Sequence, residues 1–175
     1  GNKLLFIEKI SSRRPLSDAG YIEKLNMILN KHGLSAEAFE GSMISSVVPS
    51  VTAVFSSALE TFLGRKPLIL SHKLDLGYEI CTEFPEKVGC DRLADIAGAI
   101  SRYSLPFVTI DLGTATTFNV LDENRRFLGG LILPGVGTAH RALLGKTAQL
   151  PKGDIHMPAH TIGANTQECI TGGML

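Results

Sequence analysis

Cysteine, net charge and long apolar runs are all scarce in this chain, and each scarcity argues against a class of function. The 175 residues hold three cysteines, Cys81, Cys90 and Cys169. An odd number without a Cys-x-x-Cys spacing does not suit a disulfide framework, so a reducing, cytoplasmic setting is expected. Lys plus Arg and Asp plus Glu each total 17, giving a formal net charge of zero. Without a basic surplus there is no electrostatic basis for a nucleic-acid or membrane-surface partner. The one dense basic spot, Arg13-Arg14, reads as a solvated loop. No apolar run reaches the roughly 18 residues that would suggest a membrane span. Glu8 interrupts the early apolar stretch, which has no signal-peptide layout. His156 and His160 are four apart, but Pro158 between them spoils the helical face a zinc pair would need.

What is present suits a well-packed α/β protein: 44% hydrophobic residues, 19% charged and 18 glycines. After a turn at Gly1-Asn2, Leu4 to Ile10 reads as a strand. Ser17 is a good N-cap for a helix carrying Tyr21, Leu25, Ile28 and Leu29 and stopping near Gly33. A capped turn at Ser35 leads to an apolar strand, Met43 to Val48, halted by Pro49. Ser50 can cap a second helix through Val54, Leu59 and Leu63, with Gly64 as its stop, and Pro67 to Leu70 reads as another strand. The stretch Asp91 to Tyr103, apolar at Leu93, Ile96, Ala97 and Ile100, is the most helical of all. Beyond it come strands over Pro106 to Ile110 (a buried type), Thr117 to Leu121 and Arg126 to Ile132, then a helix with Ala139, Leu143 and Leu144. Strands alternating with helices predict a sheet covered by helices. A domain boundary is expected near Ser104-Leu105-Pro106, dividing 1–104 from 105–175.

Three constellations could carry chemistry. In Asp111-Leu112-Gly113-Thr114-Ala115-Thr116-Thr117, a carboxylate ends a strand and a glycine turn rich in hydroxyls follows. Gly113 would let the backbone approach a polyphosphate, N–H and threonine hydroxyls would donate to it, and Asp111 would hold a cation. It is not a P-loop, because a strand follows where a helix should. The plainer alternative is a hairpin whose threonines simply favour strands. In Gly89-Cys90-Asp91-Arg92, opening the long helix, Asp91 could cap the helix or take a proton from an attacking hydroxyl, with Arg92 pairing an anionic substrate. In Ile162-Gly163-Ala164-Asn165-Thr166, a loop runs into a helix, and Asn165 or Thr166 could be only its cap.

Taken in order, these segments resemble the type III pantothenate kinases of bacteria. The resemblance is carried by Ile44 to Pro49, Pro85 to Arg92, Asp111 to Thr117, Gly129-Gly130 with Pro134-Gly135, Thr147 to Pro151, and Ile162 to Thr166, across nearly the whole chain. It implies an α/β fold of two ribonuclease H-like domains, as in the acetate and sugar kinase, heat-shock ATPase and actin superfamily. It implies phosphorylation of pantothenate by ATP with Mg2+, the first step of coenzyme A biosynthesis, by a homodimer. It implies Asp91 as general base, Gly89, Cys90, Asp91 and Arg92 along the pantothenate pocket, and Thr166 in contact with pantothenate. Asp111 would bind a monovalent cation (K+ or NH4+), and Gly113 and Thr114 would bind ATP.

The sequence also departs from that pattern. Thr82, seven residues before Gly89, stands where a pocket tyrosine is common; Phe84 replaces a usual asparagine, and Cys90 a usual alanine. The family's first phosphate loop, Asp-x-Gly-Asn-Thr, would precede Gly1, and further elements would follow Leu175, so both domains are expected to be incomplete here. The alternatives are a non-catalytic relative that binds a ligand or regulates, and a superfamily phosphotransferase with another substrate. Retention of Asp91, Arg92, Asp111 and Thr114 favours the kinase over the first. Arg92, a cation for pantothenate's carboxylate, favours it over the second.

Overall fold

The computed structural model describes residues 4–11, 15–151 and 153–174. The expected turn at Gly1-Asn2 and the basic pair Arg13-Arg14 lie outside the described residues. The chain divides into two compact units, Gly1–Asp75 with Glu86–Ala94, and Leu76–Pro85 with Asp95–Leu175.

The first unit holds two packed helices beside a small parallel pair of strands. Helix α1 spans Asp18–Lys31, and the Ser17 side chain accepts from Gly20 N–H at 3.3 Å, as the sequence predicts. Strand β1 (Met43–Ile44) pairs in parallel with β2 (Leu68–Ile69). The ladder is shorter than the apolar run because the Ser46 hydroxyl takes the Val48 N–H at 3.2 Å, a local bond that competes with the sheet. Helix α2 spans Pro49–Leu63 and ends on Gly64 in the left-handed region, φ 67°. Its start corrects the expected Ser50 cap: Pro49 occupies the first turn, where a missing N–H costs nothing, and Val48 is the cap residue. Tyr21 of α1 meets Phe55 of α2 edge-on, with ring centroids 5.0 Å apart.

Leu4 to Ile10 does not form the expected strand. It is tied by side chains instead: Phe6 stacks on His32 at 3.9 Å, and Glu8 Oε1 takes Lys31 Nζ at 2.7 Å and His32 Nε2 at 2.8 Å. Those bonds hold the Glu8 carboxyl below its ordinary range.

The second unit is built on a four-stranded sheet in the order β3-β6-β5-β4. Strands β4 (Phe107–Leu112), β5 (Ala115–Leu121) and β6 (Arg126–Pro134) form an antiparallel meander, and β3 (Glu79–Ile80) adds in parallel to β6. Register pairs Thr109 with Asn119, whose fully buried amide donates to the Thr109 hydroxyl at 3.0 Å. The β5–β6 turn is fixed by Asp122, whose carboxylate takes the N–H groups of Asn124 and Arg126 and the Arg126 guanidinium. Between Val120 and Leu121 the register slips past Leu128, and Gly129 sits there at φ 108°, as a bulge requires. Strand β4 is not buried on both sides as its composition suggests; Val108 and Ile110 are more than half exposed, on the face opposite Thr109 and Asn119.

Helix α3 spans Cys90–Ile100 and is shorter at its end than the sequence suggests, because the N–H groups of Arg102 and Tyr103 both close on Ala99 O. Helices α4 (Val136–Lys146) and α5 (Thr166–Met174) complete the second unit. No helix among the described residues is long and apolar enough to cross a membrane.

Candidate active site

Two helix starts, one hairpin and the segment after β3 carry the site residues singled out by the sequence. The first start belongs to the first unit. A short 3-10 turn, Pro85–Lys87, leads through Gly89 into α3. Asp91 lies in the opening turn, exposed, and its Oδ1 accepts the Arg92 N–H at 2.8 Å. That amide is one of the groups a helix start leaves unpaired, so Asp91 serves the helix from inside its first turn. A side chain on Gly89 would land on Asp91 Oδ1, so glycine is what lets the carboxylate fold back over the helix start. Cys90 is buried, with Sγ 3.0 Å from Ser46 O, so its side chain belongs to the core of the unit. Arg92 is half-buried.

The hairpin belongs to the second unit. Strand β4 runs on through Asp111 to Leu112 and β5 starts at Ala115, leaving Gly113-Thr114 as a two-residue turn. The Gly113 N–H donates to Ala115 O at 2.9 Å, so this amide closes the hairpin. Asp111 and Thr114 are both exposed, and a side chain added at Gly113 would come 3.8 Å from Asp111 Oδ2. The plain hairpin is what the backbone forms, and it leaves both side chains exposed. An exposed carboxylate and an exposed hydroxyl stand at one unobstructed turn, a donor set of hard oxygens that fits a cation accompanying polyphosphate.

Gly135, just before α4, is the residue sequence reasoning undervalued. Its N–H donates to Thr114 O at 2.9 Å, and the Thr138 hydroxyl donates to the same oxygen at 2.8 Å. A Cβ at Gly135 would collide with Gly113 O and come 2.8 Å from Thr114 O. The Pro134-Gly135 pair closing a strand was the available signal for this close approach.

Thr166 and Thr82 also lie in the second unit. The cap of α5 is Asn165, whose Oδ1 accepts Glu168 N–H at 2.9 Å, while Glu168 Oε2 accepts Ala164 N–H at 2.7 Å. The Thr166 hydroxyl is thus not the cap, and the residue is exposed. Thr82 follows β3; its hydroxyl is buried without a hydrogen-bond partner among the described residues. Among the described residues no group of three His, Cys, Asp or Glu side chains could hold a metal, His156 and His160 included.

Comparison with known proteins supplies the family. The family model for type III pantothenate kinase matches residues 1–175. The chain is 37% identical over 174 residues to the type III pantothenate kinase of Bifidobacterium animalis subsp. lactis, covering 99% of this chain and 69% of that protein. It is 36% identical over 163 residues to that of Thermomicrobium roseum, covering 93% and 62%, and 34% identical over 175 residues to that of Dictyoglomus turgidum, covering 100% and 68%. It thus spans about two thirds of the length of these curated relatives. The fold is similar to a crystal structure from Campylobacter jejuni described as a conserved Baf family transcriptional activator, with TM-score 0.53 at 18% identity over 85% of this chain and 62% of that one. On the match of the whole chain, it belongs to the type III pantothenate kinase family.

Proposed function

We propose that the whole protein transfers the γ-phosphoryl group of ATP to the hydroxyl of pantothenate, yielding 4′-phosphopantothenate and ADP. The observation that carries the proposal is the β4–β5 hairpin, which presents Asp111 and Thr114 at an exposed turn in a chain of this family. Asp91 takes the hydroxyl proton as the oxygen attacks phosphorus, and Arg92 pairs with the carboxylate of pantothenate. Thr82, Gly89, Cys90 and Thr166 are each assigned to pantothenate binding, Cys90 through its backbone. Thr114 meets the polyphosphate, Gly113 keeps the turn free of a side chain, and Asp111 holds a monovalent cation, K+ or NH4+. A divalent cation, Mg2+, accompanying the nucleotide would neutralise charge on the phosphates. In such transfers most of the acceleration comes from positioning and electrostatics, which suits a site made of turns and helix starts.

Two ribonuclease H-like domains belong to the same proposal; the compact units part between Ala94 and Asp95, with Leu76–Pro85 in the second, rather than at the boundary expected near residue 104. The antiparallel meander with a parallel strand at its β6 edge supports that reading of the second. A cytoplasmic homodimer follows from the same family reading. The test is phosphorylation of pantothenate by full-length protein with ATP, in potassium, ammonium or sodium. Turnover that needs potassium or ammonium supports the assignment. Equal rates in sodium would remove the role given to Asp111, and no turnover in any salt would remove the kinase.

A further inference from the structure

The carbonyl of Thr114 accepts two hydrogen bonds from a single place, the start of α4. Gly135 N–H reaches it at 2.9 Å and Thr138 Oγ1 at 2.8 Å. Arg141 Nη2 lies 3.4 Å from the same Thr138 oxygen. A carbonyl can only accept and a guanidinium can only donate, so the one hydroxyl proton of Thr138 is committed to Thr114 while its lone pairs face Arg141. Thr138 therefore has no proton left for a ligand. What it does is fix the peptide plane after Thr114 and, with it, the two-residue turn.

We infer that Thr138 is a positioning residue for the nucleotide hairpin, holding the Gly113-Thr114 turn in the conformation that presents Thr114 to the polyphosphate. The nucleotide part of this role rests on the assignment of Thr114 to ATP. Gly135 makes the arrangement possible, since any side chain there would separate α4 from the turn. Thr138 makes it specific, because its hydroxyl supplies the second bond that settles the carbonyl's direction.

The test uses full-length protein carrying Thr138→Val, which keeps the shape and deletes the hydroxyl, and Thr138→Ser, which keeps the hydroxyl. Hydrogen exchange over residues 111–117 reads the turn, and KM for each substrate, with affinity for a non-hydrolysable ATP analogue, reads the consequence. In Thr138→Val, exchange and KM for ATP should each rise about 3- to 10-fold, the equivalent of one neutral hydrogen bond. KM for pantothenate should stay unchanged, and Thr138→Ser should behave as wild type in every measurement. Unchanged exchange in Thr138→Val, an equal rise in both KM values, or a serine variant as impaired as the valine would each overturn the inference. A turn that loosens in valine and recovers in serine, in a wild type with no nucleotide affinity, would instead refute the ATP assignment. It would leave Thr138 as the holder of a hairpin with another use.

Discussion

Two glycines in and beside α4 have opposite surroundings, and replacing each with alanine should move stability in opposite directions. At Gly135 the backbone is ordinary, φ −62° and ψ 154°, so alanine meets no torsional objection. The objection is spatial: its methyl group would collide with Gly113 O and lie 2.8 Å from Thr114 O and 3.0 Å from Thr114 C. These are backbone atoms of a hairpin and cannot rotate aside, so α4 must withdraw, stretching the two bonds on the Thr114 carbonyl. Overpacking costs about 1–3 kcal/mol and loss of one of the two bonds about 0.5–1.5 kcal/mol, so Gly135→Ala should destabilise by about 2–4 kcal/mol. At about 2–4 °C per kcal/mol the melting temperature should fall by about 4–16 °C. Gly145, inside the same helix, is exposed, and a methyl group there would have nothing within 4 Å, so alanine should gain about 0.5–1 kcal/mol from helix propensity. Thermal melts of the wild type and the two variants, checked by urea midpoints, decide the matter. A Gly135→Ala protein melting within about 1 °C of wild type, well inside the shift expected for 1 kcal/mol, would refute the close approach of α4 to the hairpin.

Other outcomes follow from the remaining site residues. Asp91→Asn keeps a carbonyl oxygen for the Arg92 N–H and should melt near wild type, yet lose at least about 100-fold in kcat; activity within a few fold of wild type would reduce Asp91 to a helix-start residue. Arg92→Gln should raise KM for pantothenate well above any change for ATP, and equal changes would make it structural. At Asp122, burial opposes ionisation, but the Arg126 N–H, the Arg126 guanidinium and the Asn124 N–H outweigh it and hold the carboxyl below its ordinary 3.8. A depressed carboxyl stabilises fully above the unfolded value and loses that contribution as pH falls through the folded one, so the melting-temperature gap between wild type and Asp122→Asn should be widest near neutral pH and shrink below about pH 4. A gap independent of pH down to about pH 2 would refute the assignment.

Much of the second unit was legible because its signals are local. Apolar composition located all three meander strands, and the turn that Asp122 fixes lies between the second and the third. Failures came where pairing depends on distant chain. Met43 to Val48 has the composition of a strand, but only Met43–Ile44 joins a ladder, since Ser46 supplies a nearer acceptor for Val48. Leu4 to Ile10 has the same composition and is held by Phe6 and Glu8 side chains. The cap of α2 failed for a subtler reason: Ser50 is a good cap residue, but Pro49 beside it is a better first-turn residue, and the two cannot both have their preferred place.

The candidate site divides along the same line, between chemistry that a motif announces and support that only geometry reveals. Asp111, Thr114 and Asp91 stand out in sequence because an oxygen after a strand or at a helix start can serve a ligand as well as a hairpin or a cap. That the Thr114 carbonyl is gripped from Gly135 and Thr138, more than twenty residues away, is not written in Asp111 to Thr117 at all. Three glycines make the difference visible. Gly89, Gly135 and Gly163 each precede a helix, and at each a Cβ would press on a neighbour, yet the neighbours differ in kind. At Gly89 it is the Asp91 carboxylate, the end of a side chain that can turn away. At Gly163 it is the backbone of the opening turn of α5, the helix this loop itself enters, with Cys169 N nearest and Glu168 C 2.5 Å from the added atom. At Gly135 it is the backbone of the hairpin, locked on its far side into the β4–β5 ladder, which has nowhere to go. Sequence marks all three alike as turn glycines; a backbone neighbour sets Gly135 and Gly163 apart from Gly89, and at Gly135 that neighbour ties α4 to the β4–β5 hairpin.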